Sequence, residues 1–467
     1  MYRLSVIILT VFVAVSAMAQ EVKTEEQQLS SDYFAALFQQ RDTAGAMAIK
    51  KELLSKYPKG QFARRLEAES INQAKDSLEF ISRCDSFRKK FPIEEWIASP
   101  DGQGFVYMNF YRGYSRFLYQ AGLYDKLREI LPEMTYSMLA DLYAHGPMFM
   151  IMKAPIDPRE YVDIAEDIVN EMWAKKDSNV NMYGDGSILP DDGSVNYYAA
   201  VETEVLQRSG RPADAVRCMD KIDESVRYNQ YAAGNECYIK ALEELGRKDE
   251  AEQALIGATA VGRLTPDLFT MLRNYYNSLS EKPAATFDAY YESLKTETAK
   301  ENLMNDVRSG LIDEPYEAFS LKSINGKTVR SSSYGTDDII VLDFWATWCA
   351  PCIAALDGMQ LAVEKYIDDP DVHFFFVCTQ DDPEKDTVKR IWKRGDYHDM
   401  TVLMDSNREG SEGHDKVYRS IIKGTSSIPQ KAVLKNGRVR YIAEGYGGSP
   451  SGLMDEISAV IEILKAE

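Results

Sequence analysis

The 467-residue sequence has few of the residues that build metal sites or disulfide-stapled folds, with four histidines and six cysteines. The cysteines are Cys84, Cys218, Cys237, Cys349, Cys352 and Cys378. Their small number and irregular spacing exclude a small disulfide-rich fold. Basic residues are also scarce, since 54 Lys and Arg stand against 73 Asp and Glu, giving a formal net charge of −19. Nucleic-acid binding needs basic surfaces that neutralise phosphates, so no nucleic-acid partner is expected.

Long apolar runs are missing as well. Outside the N-terminus, no stretch approaches the about 20 apolar residues that a transmembrane helix needs. At the N-terminus, Arg3 precedes an apolar segment over residues 4–15, and Ala17-Met18-Ala19 forms a small-residue cleavage site. This arrangement predicts a signal peptide over residues 1–19, with an uncleaved anchor as the alternative. We therefore expect export, to the periplasm or out of the cell.

The most informative segment is residues 339–352, in which β-branched and aromatic residues lead directly into two cysteines. Residues 339–346 have the pattern of a strand buried on both faces of a largely parallel sheet. From Ala350 onward, apolar residues recur at helical spacing, which places Cys349 at the N-terminus of a helix. Free N–H groups and the helix dipole favour a thiolate there, so Cys349 is predicted to be the nucleophile. Cys352, one turn later, is placed to attack the mixed disulfide that Cys349 forms.

A Cys-x-x-Cys pair also occurs in zinc sites, which need two further ligands. No second Cys or His pair lies at ligand spacing in this chain, so the sequence favours a redox dithiol. No metal or organic cofactor is expected, because the redox group is the Cys349–Cys352 disulfide itself.

Residues 343–352, Asp-Phe-Trp-Ala-Thr-Trp-Cys-Ala-Pro-Cys, resemble the active-site stretch of thioredoxins. The last third of the chain resembles the TlpA/ResA branch of exported thiol-disulfide oxidoreductases. Residues 319–329 are similar to the entry hairpin of that branch, and residues 431–440 are similar to its closing hairpin. The resemblance implies a thioredoxin-like α/β domain over residues 313–467.

The resemblance also implies roles for four further residues. Asp343 matches the buried carboxylate that moves protons for the second cysteine, and burial should raise its pKa. Pro429 matches the cis-proline that faces the dithiol and leaves the backbone of Ile428 free to pair with an extended substrate. Trp348 should cover the edge of the site with a flat apolar surface. Each of these roles has a purely structural alternative. Asp343 could be an exposed acid at a strand end, Pro429 a trans proline in a turn, and Trp348 an aromatic side chain of the core.

The sequence departs from the exported relatives in the helix after the dithiol. Those relatives usually have a Glu three residues after the second cysteine and a Pro two residues later, where this chain has Ala355 and Asp357. They often lack a carboxylate at the position of Asp343. One acid near the dithiol is therefore retained, in the arrangement of thioredoxin. Substrates specific to the exported branch, such as apocytochrome c, are not inferred.

Residues 22–305 repeat apolar residues at three- and four-residue steps, which predicts an all-α domain joined to the α/β domain by a linker at 306–312. Residues 209–215 and 245–251 are similar and lie 36 residues apart, close to the tetratricopeptide period of about 34 residues. We therefore predict helical hairpins resembling tetratricopeptide repeats, whose concave face binds a protein or peptide partner. A disulfide between Cys218 and Cys237 is an open alternative to two buried thiols.

The sequence thus predicts a helical array followed by an α/β domain, and an exported enzyme that reduces disulfides in protein substrates. Pro351 gives a dipeptide like that of reducing thioredoxins, whereas strongly oxidising relatives tend to have His there. Reduction requires a thiol electron donor in the membrane. A disulfide oxidase or isomerase is the first alternative. A non-catalytic partner-binding module built on the same fold is the second.

Overall fold

The computed structural model describes residues 23–153, 156–407 and 413–467, so the predicted signal peptide lies outside the described residues. The helices are α1 (Glu25–Phe34), α2 (Thr43–Lys56), α3 (Gln61–Ile71), α4 (Ser77–Lys90), α5 (Ile93–Ala98), α6 (Gly104–Gln120), α7 (Tyr124–Ile130), α8 (Tyr136–His145), α9 (Pro147–Lys153), α10 (Val162–Lys175), α11 (Ser194–Arg208), α12 (Pro212–Asp220), α13 (Glu224–Arg227), α14 (Ala232–Glu244), α15 (Lys248–Ala260), α16 (Pro266–Ser278), α17 (Phe287–Leu294), α18 (Glu297–Gly310), α19 (Ala350–Lys365), α20 (Lys385–Gly395), α21 (Lys416–Ile421) and α22 (Pro450–Lys465). In these three ranges, no helix combines the length and apolar character that crossing a membrane requires.

The strands are β1 (Asn179–Val180), β2 (Ile188–Leu189), β3 (Leu311–Pro315), β4 (Ser320–Ser323), β5 (Thr328–Arg330), β6 (Ile339–Trp345), β7 (Val372–Cys378), β8 (Thr401–Met404), β9 (Gln430–Lys435) and β10 (Arg438–Glu444). The architecture is therefore helical over the N-terminal part and α/β at the C-terminus, as predicted.

One compact unit comprises Met1–Gly146 and Asn170–Asp192, described from residue 23 onward. Its core is rich in tyrosine because α6 places Tyr107, Tyr111 and Tyr114 on one face, at the three- and four-residue steps of a buried helix face. The buried phenol groups keep polar partners, as the Tyr111 hydroxyl shows by donating to a Glu133 carboxylate oxygen at 2.6 Å. The aromatic run of α6 is thus part of the core.

The other compact unit comprises Pro147–Val169 and Gly193–Glu467. It contains an eight-stranded sheet in the order β3-β10-β9-β6-β7-β8-β4-β5. Strand β6 runs parallel to β7, β7 runs parallel to β8, and β9 lies antiparallel on the other side of β6. All residues of β6 are buried, as its apolar β-branched and aromatic sequence predicts.

The two similar segments of the helical region end their helices in the same way. Gly210 and Gly246 adopt left-handed backbone conformations, with φ of 79° and 75°. The next residue in each case donates back to the last turn: Arg211 N–H to Leu206 O at 3.0 Å, and Arg247 N–H to Leu242 O at 2.9 Å. This helix end needs a left-handed residue, which glycine supplies without a Cβ clash. The predicted helical hairpins are present at both places.

Cys218 and Cys237 are separate, buried thiols rather than a disulfide. Burial raises the pKa of the Cys218 thiol to about 12. Both cysteines therefore act as small apolar side chains within the helical region.

The predicted linker at 306–312 is not present. Helix α18 continues to Gly310, and β3 starts at Leu311 and pairs antiparallel with β10. Val307, within the predicted linker, is fully buried. The helices from Gly193 onward also belong to the same compact unit as the sheet. Sequence patterns show which helix faces are apolar but not which surface those faces meet, and so they misplace this boundary.

Candidate redox site

Cys349 and Cys352 form a disulfide at the start of α19, with an Sγ–Sγ distance of 2.10 Å. Cys349 is the N-cap residue of this helix and is 4% exposed, whereas Cys352 lies in the first turn and is fully buried. A substrate that approaches the pair from solvent meets Cys349 first. The N-cap position also lets the helix dipole favour a Cys349 thiolate once the disulfide is reduced.

The loop between β6 and α19 is held at the carboxyl end of the parallel strands. The Thr347 backbone N–H and hydroxyl both donate to one carboxylate oxygen of Asp381, at 2.8 and 2.7 Å. Asp381 follows β7, the parallel neighbour of β6. Because the ends of adjacent parallel strands lie side by side, this pair fixes the residues that precede the dithiol.

The Ile428–Pro429 peptide bond is cis, as the resemblance implies. The Ile428 carbonyl oxygen lies 3.8 Å from the Cys349 sulfur. The Pro429 carbonyl accepts a hydrogen bond of 2.9 Å from the Gly445 N–H, which ties this loop to the residue after β10. The structure thus brings the predicted nucleophile, Ile428 and Pro429 together.

Asp343 lies on β6, opposite Lys431 of β9. Both side chains are inaccessible to solvent, and the Lys431 Nζ lies 4.0 Å from an Asp343 carboxylate oxygen. Neither carboxylate oxygen has a hydrogen-bond partner among the described residues. Burial raises the pKa of Asp343 to about 6, and the positive charge of Lys431 acts in the opposite direction. Burial also lowers the pKa of Lys431. The strand that leads to the dithiol therefore carries a buried acid whose pKa is raised toward neutrality.

Sequence reasoning missed Lys431. Its signal was a lysine two residues after Pro429, directly before the apolar residues 432–434 of a predicted strand. A lysine at such a place indicates a buried partner of opposite charge.

Trp348 is 61% exposed, and its indole N–H donates to the Gln380 carbonyl at 3.3 Å.

The sequence differs from the exported relatives at Ala355 and Asp357, and the structure places both residues in α19. Ala355 is fully buried. Asp357 accepts a hydrogen bond of 2.6 Å from the Tyr397 hydroxyl, and burial raises the pKa of Asp357.

The Redoxin family model matches residues 312–451. This segment contains the parallel β6–β7–β8 strands, the dithiol at a helix start and the cis-proline. Residues 312–451 therefore form a Redoxin-type domain with a thioredoxin-like fold.

Several solved structures are similar to this part of the chain. A thiol:disulfide interchange protein of the thioredoxin family from Chlorobium tepidum is 20% identical over 32% of this chain and 97% of its own, with a TM-score of 0.26. The exposed lipoprotein thioredoxin of Streptococcus pneumoniae is 26% identical over 32% of this chain and 100% of its own, with a TM-score of 0.25. StoA of Bacillus subtilis is 19% identical over 30% and 96%, with a TM-score of 0.24. No curated protein matches the chain.

The Asp343–Lys431 pair leads to a prediction about pH. The Lys431→Met variant should raise the pKa of Asp343 above about 6, because the ammonium group no longer favours the carboxylate. If this carboxylate accepts the proton of Cys352, release of substrate from the mixed disulfide slows as the pH falls through the Asp343 pKa. In the variant, the inflection in release rate should lie about one pH unit higher. Rapid-mixing measurements of release between pH 5 and 8 give both values.

The Asp343→Asn variant is the matched control. It should lose the inflection and release substrate about 10²-fold more slowly, the effect typical of removing a positioned base. An inflection at the same pH in the wild type and in Lys431→Met would show that Lys431 has no effect on the acid.

Proposed function

We propose that the protein reduces disulfide bonds in other proteins, with Cys349 as the nucleophile and Cys352 as the resolving cysteine. The observation that carries the proposal is the difference in exposure between the two cysteines, 4% for Cys349 and 0% for Cys352, beside the loop that contains Ile428 and Pro429. Cys349 is 4% exposed and caps a helix, and its sulfur lies 3.8 Å from the Ile428 carbonyl oxygen. Cys352 has no access to solvent.

The proposed reaction has two exchange steps. The Cys349 thiolate attacks one sulfur of a substrate disulfide, forms a mixed disulfide and expels the other substrate sulfur as a thiolate. Cys352 then loses its proton to the Asp343 carboxylate and attacks the Cys349 sulfur. This step restores the Cys349–Cys352 disulfide and releases the second substrate thiol. Two electrons pass from the protein dithiol to the substrate.

Substrate recognition is assigned to the surface around Cys349. The backbone of Ile428 offers hydrogen bonds to an extended segment of a substrate, and the exposed face of Trp348 offers an apolar contact. The helical hairpins are proposed to bind a further part of the same protein or peptide partner. Residues 1–19 are proposed to direct export, and in that compartment a thiol donor in the membrane would return the dithiol to its reduced state.

The lack of charge between the two cysteines supports the reducing direction. The intervening residues Ala350 and Pro351 carry no charge, so they add nothing to the stabilisation of the Cys349 thiolate by the helix end. A strongly stabilised thiolate makes a disulfide oxidising. Without a strongly stabilised Cys349 thiolate, the reducing direction is favoured.

Equilibration with glutathione tests this direction. The reduction potential of the dithiol should lie nearer the value of about −270 mV of thioredoxin than the value of about −120 mV of a strong oxidant. The ratio of reduced to oxidised protein, read by alkylation and mass spectrometry, gives the potential. A value at the oxidising end would replace the reductase proposal with a disulfide oxidase.

A further inference from the structure

Gln380 is hydrogen-bonded to residues of three different loops. It lies between β7 and α20, and its backbone is in the left-handed region with φ of 56°. Its N–H donates to the His414 carbonyl at 2.6 Å, and its own carbonyl accepts the indole N–H of Trp348 at 3.3 Å. Its side-chain amide donates to the Ser426 carbonyl at 2.9 Å.

The left-handed conformation is unfavourable for a residue with a Cβ atom. Here it directs the N–H, the carbonyl and the side chain of a single residue toward three different loops. The residues on either side hold this segment in place. The Thr379 hydroxyl donates to an Asp405 carboxylate oxygen at 3.0 Å, and Asp381 accepts from Thr347. The hydrogen bonds of Thr379 and Asp381 therefore hold Gln380 in place, and Gln380 in turn holds the loops to which it is hydrogen-bonded.

Two of the loops that Gln380 joins flank Cys349. Trp348 directly precedes this cysteine in the chain. Ser426 lies two residues before Ile428, whose carbonyl oxygen is 3.8 Å from the Cys349 sulfur. The Gln380 backbone thus contacts one side of the substrate surface, and its side chain contacts the other. The hydrogen bonds of Gln380 to Trp348 and to Ser426 link the orientation of Trp348 to the position of the loop that ends at Pro429.

We infer that Gln380 is a positioning residue that selects protein substrates over small disulfides, an inference that rests on the proposed function. An extended protein segment must lie against both Trp348 and the Ile428 backbone, so the relative position of these two groups decides how well it binds. A small disulfide needs access only to the Cys349 sulfur. Loss of the Gln380 side-chain bond therefore weakens reduction of protein disulfides selectively.

The test compares two substrates, insulin and the small disulfide 5,5′-dithiobis(2-nitrobenzoate). In the Gln380→Glu variant the side chain keeps its size but cannot donate to the Ser426 carbonyl when ionised. We expect kcat/KM for insulin to fall about tenfold, mostly through KM. The variant loses one hydrogen bond and leaves the Ser426 carbonyl without its donor. The loss with the small disulfide should be smaller than about twofold. Gln380→Gly removes the side chain without straining the left-handed backbone and should give the same selective loss.

Two further variants complete the test. Gln380→Lys restores a donor and should recover most of the activity with insulin. Gln253→Glu adds the same charge at an exposed position of α15 and should leave both activities unchanged.

The outcomes separate the two proposals. Equal losses with both substrates, together with a lower Tm, would show that Gln380 only stabilises the fold, and this result would overturn the inference. Unchanged activity of both Gln380→Glu and Gln380→Gly with insulin would overturn it as well. A wild-type protein that reduces neither substrate would instead overturn the proposed function, and with it this inference.

Discussion

The Cys349→Ser variant should lose reduction of insulin disulfides by at least about 10³-fold, the scale on which enzymes lose activity when a covalent nucleophile is removed. Cys349 is the cysteine of the pair with some exposed surface, 4%, and the helix end favours its thiolate. A serine hydroxyl at the same place stays protonated and does not attack a disulfide. Turnover with dithiothreitol as the electron source, followed by precipitation of the insulin B chain, measures the loss.

The control is Cys84→Ala, which removes a buried thiol outside the proposed site. Burial raises the pKa of Cys84 to about 12, so this group is not a nucleophile at neutral pH. The variant should retain wild-type turnover. A Cys349→Ser protein that keeps more than about a tenth of the activity would show that another group performs the attack.

A buried ion pair between the helical region and the last helix is expected to have a large effect on the stability of the fold. Lys295, which follows α17, and Asp455 of α22 both have side chains only 6% exposed. The Lys295 Nζ lies 2.8 Å from one carboxylate oxygen of Asp455, and the Tyr291 hydroxyl donates to the other at 3.0 Å. Both residues belong to the compact unit that contains the sheet.

The Lys295→Met variant should lower the free energy of unfolding by about 3–5 kcal/mol at pH 7.5, because it leaves Asp455 buried without its cation. Burial already raises the pKa of Asp455, while Lys295 lowers it, so the variant has a still higher pKa in the folded state. A carboxyl whose pKa is raised by folding favours the folded state below its unfolded pKa. That contribution is lost as the pH rises through the folded pKa. The deficit of the variant should therefore be smaller at pH 4.5 than at pH 7.5.

Urea unfolding at the two pH values gives this comparison. Lys300→Met is the matched control, since Lys300 lies on α18, is partly exposed and pairs with Glu297 at 2.8 Å. Its loss should cost less than about 1 kcal/mol at either pH. The double variant Lys295→Met with Asp455→Asn should recover most of the stability. Equal, small losses in Lys295→Met and Lys300→Met would show that the buried pair contributes little.

The parts of the site that the sequence predicted are those coded by short, local patterns. The apolar run of β6 and the helix start at Cys349 each lie within a single segment, and the structure has both elements where they were predicted. Asp343 is buried and the bond before Pro429 is cis, which are also properties of single segments. Each of these features depends on hydrogen bonds and burial within a few residues. Hydrophobic periodicity and a short motif are therefore enough to predict it.

The parts that the sequence did not predict depend on contacts between distant segments. Lys431 meets Asp343 only because β9 pairs with β6 in one particular register. Gln380 gains its partners from loops 32 to 46 residues away in the chain. Val307 is buried although its segment was predicted to be a linker. None of these contacts follows from the composition of a single segment, because each is decided by which surfaces meet in the folded protein.

Trapping a substrate on Cys349 tests the proposed function most directly. The reduced Cys352→Ser variant should attack an insulin disulfide but fail to resolve the product, since the second thiol is missing. Mass spectrometry without reductant should then show a covalent adduct that maps to Cys349, that dithiothreitol removes, and that is absent when Cys349 is also replaced by serine. If no adduct forms while Cys349 is reduced and open to alkylation, or if the adduct maps to another cysteine, the protein is not a reductase that acts through this dithiol.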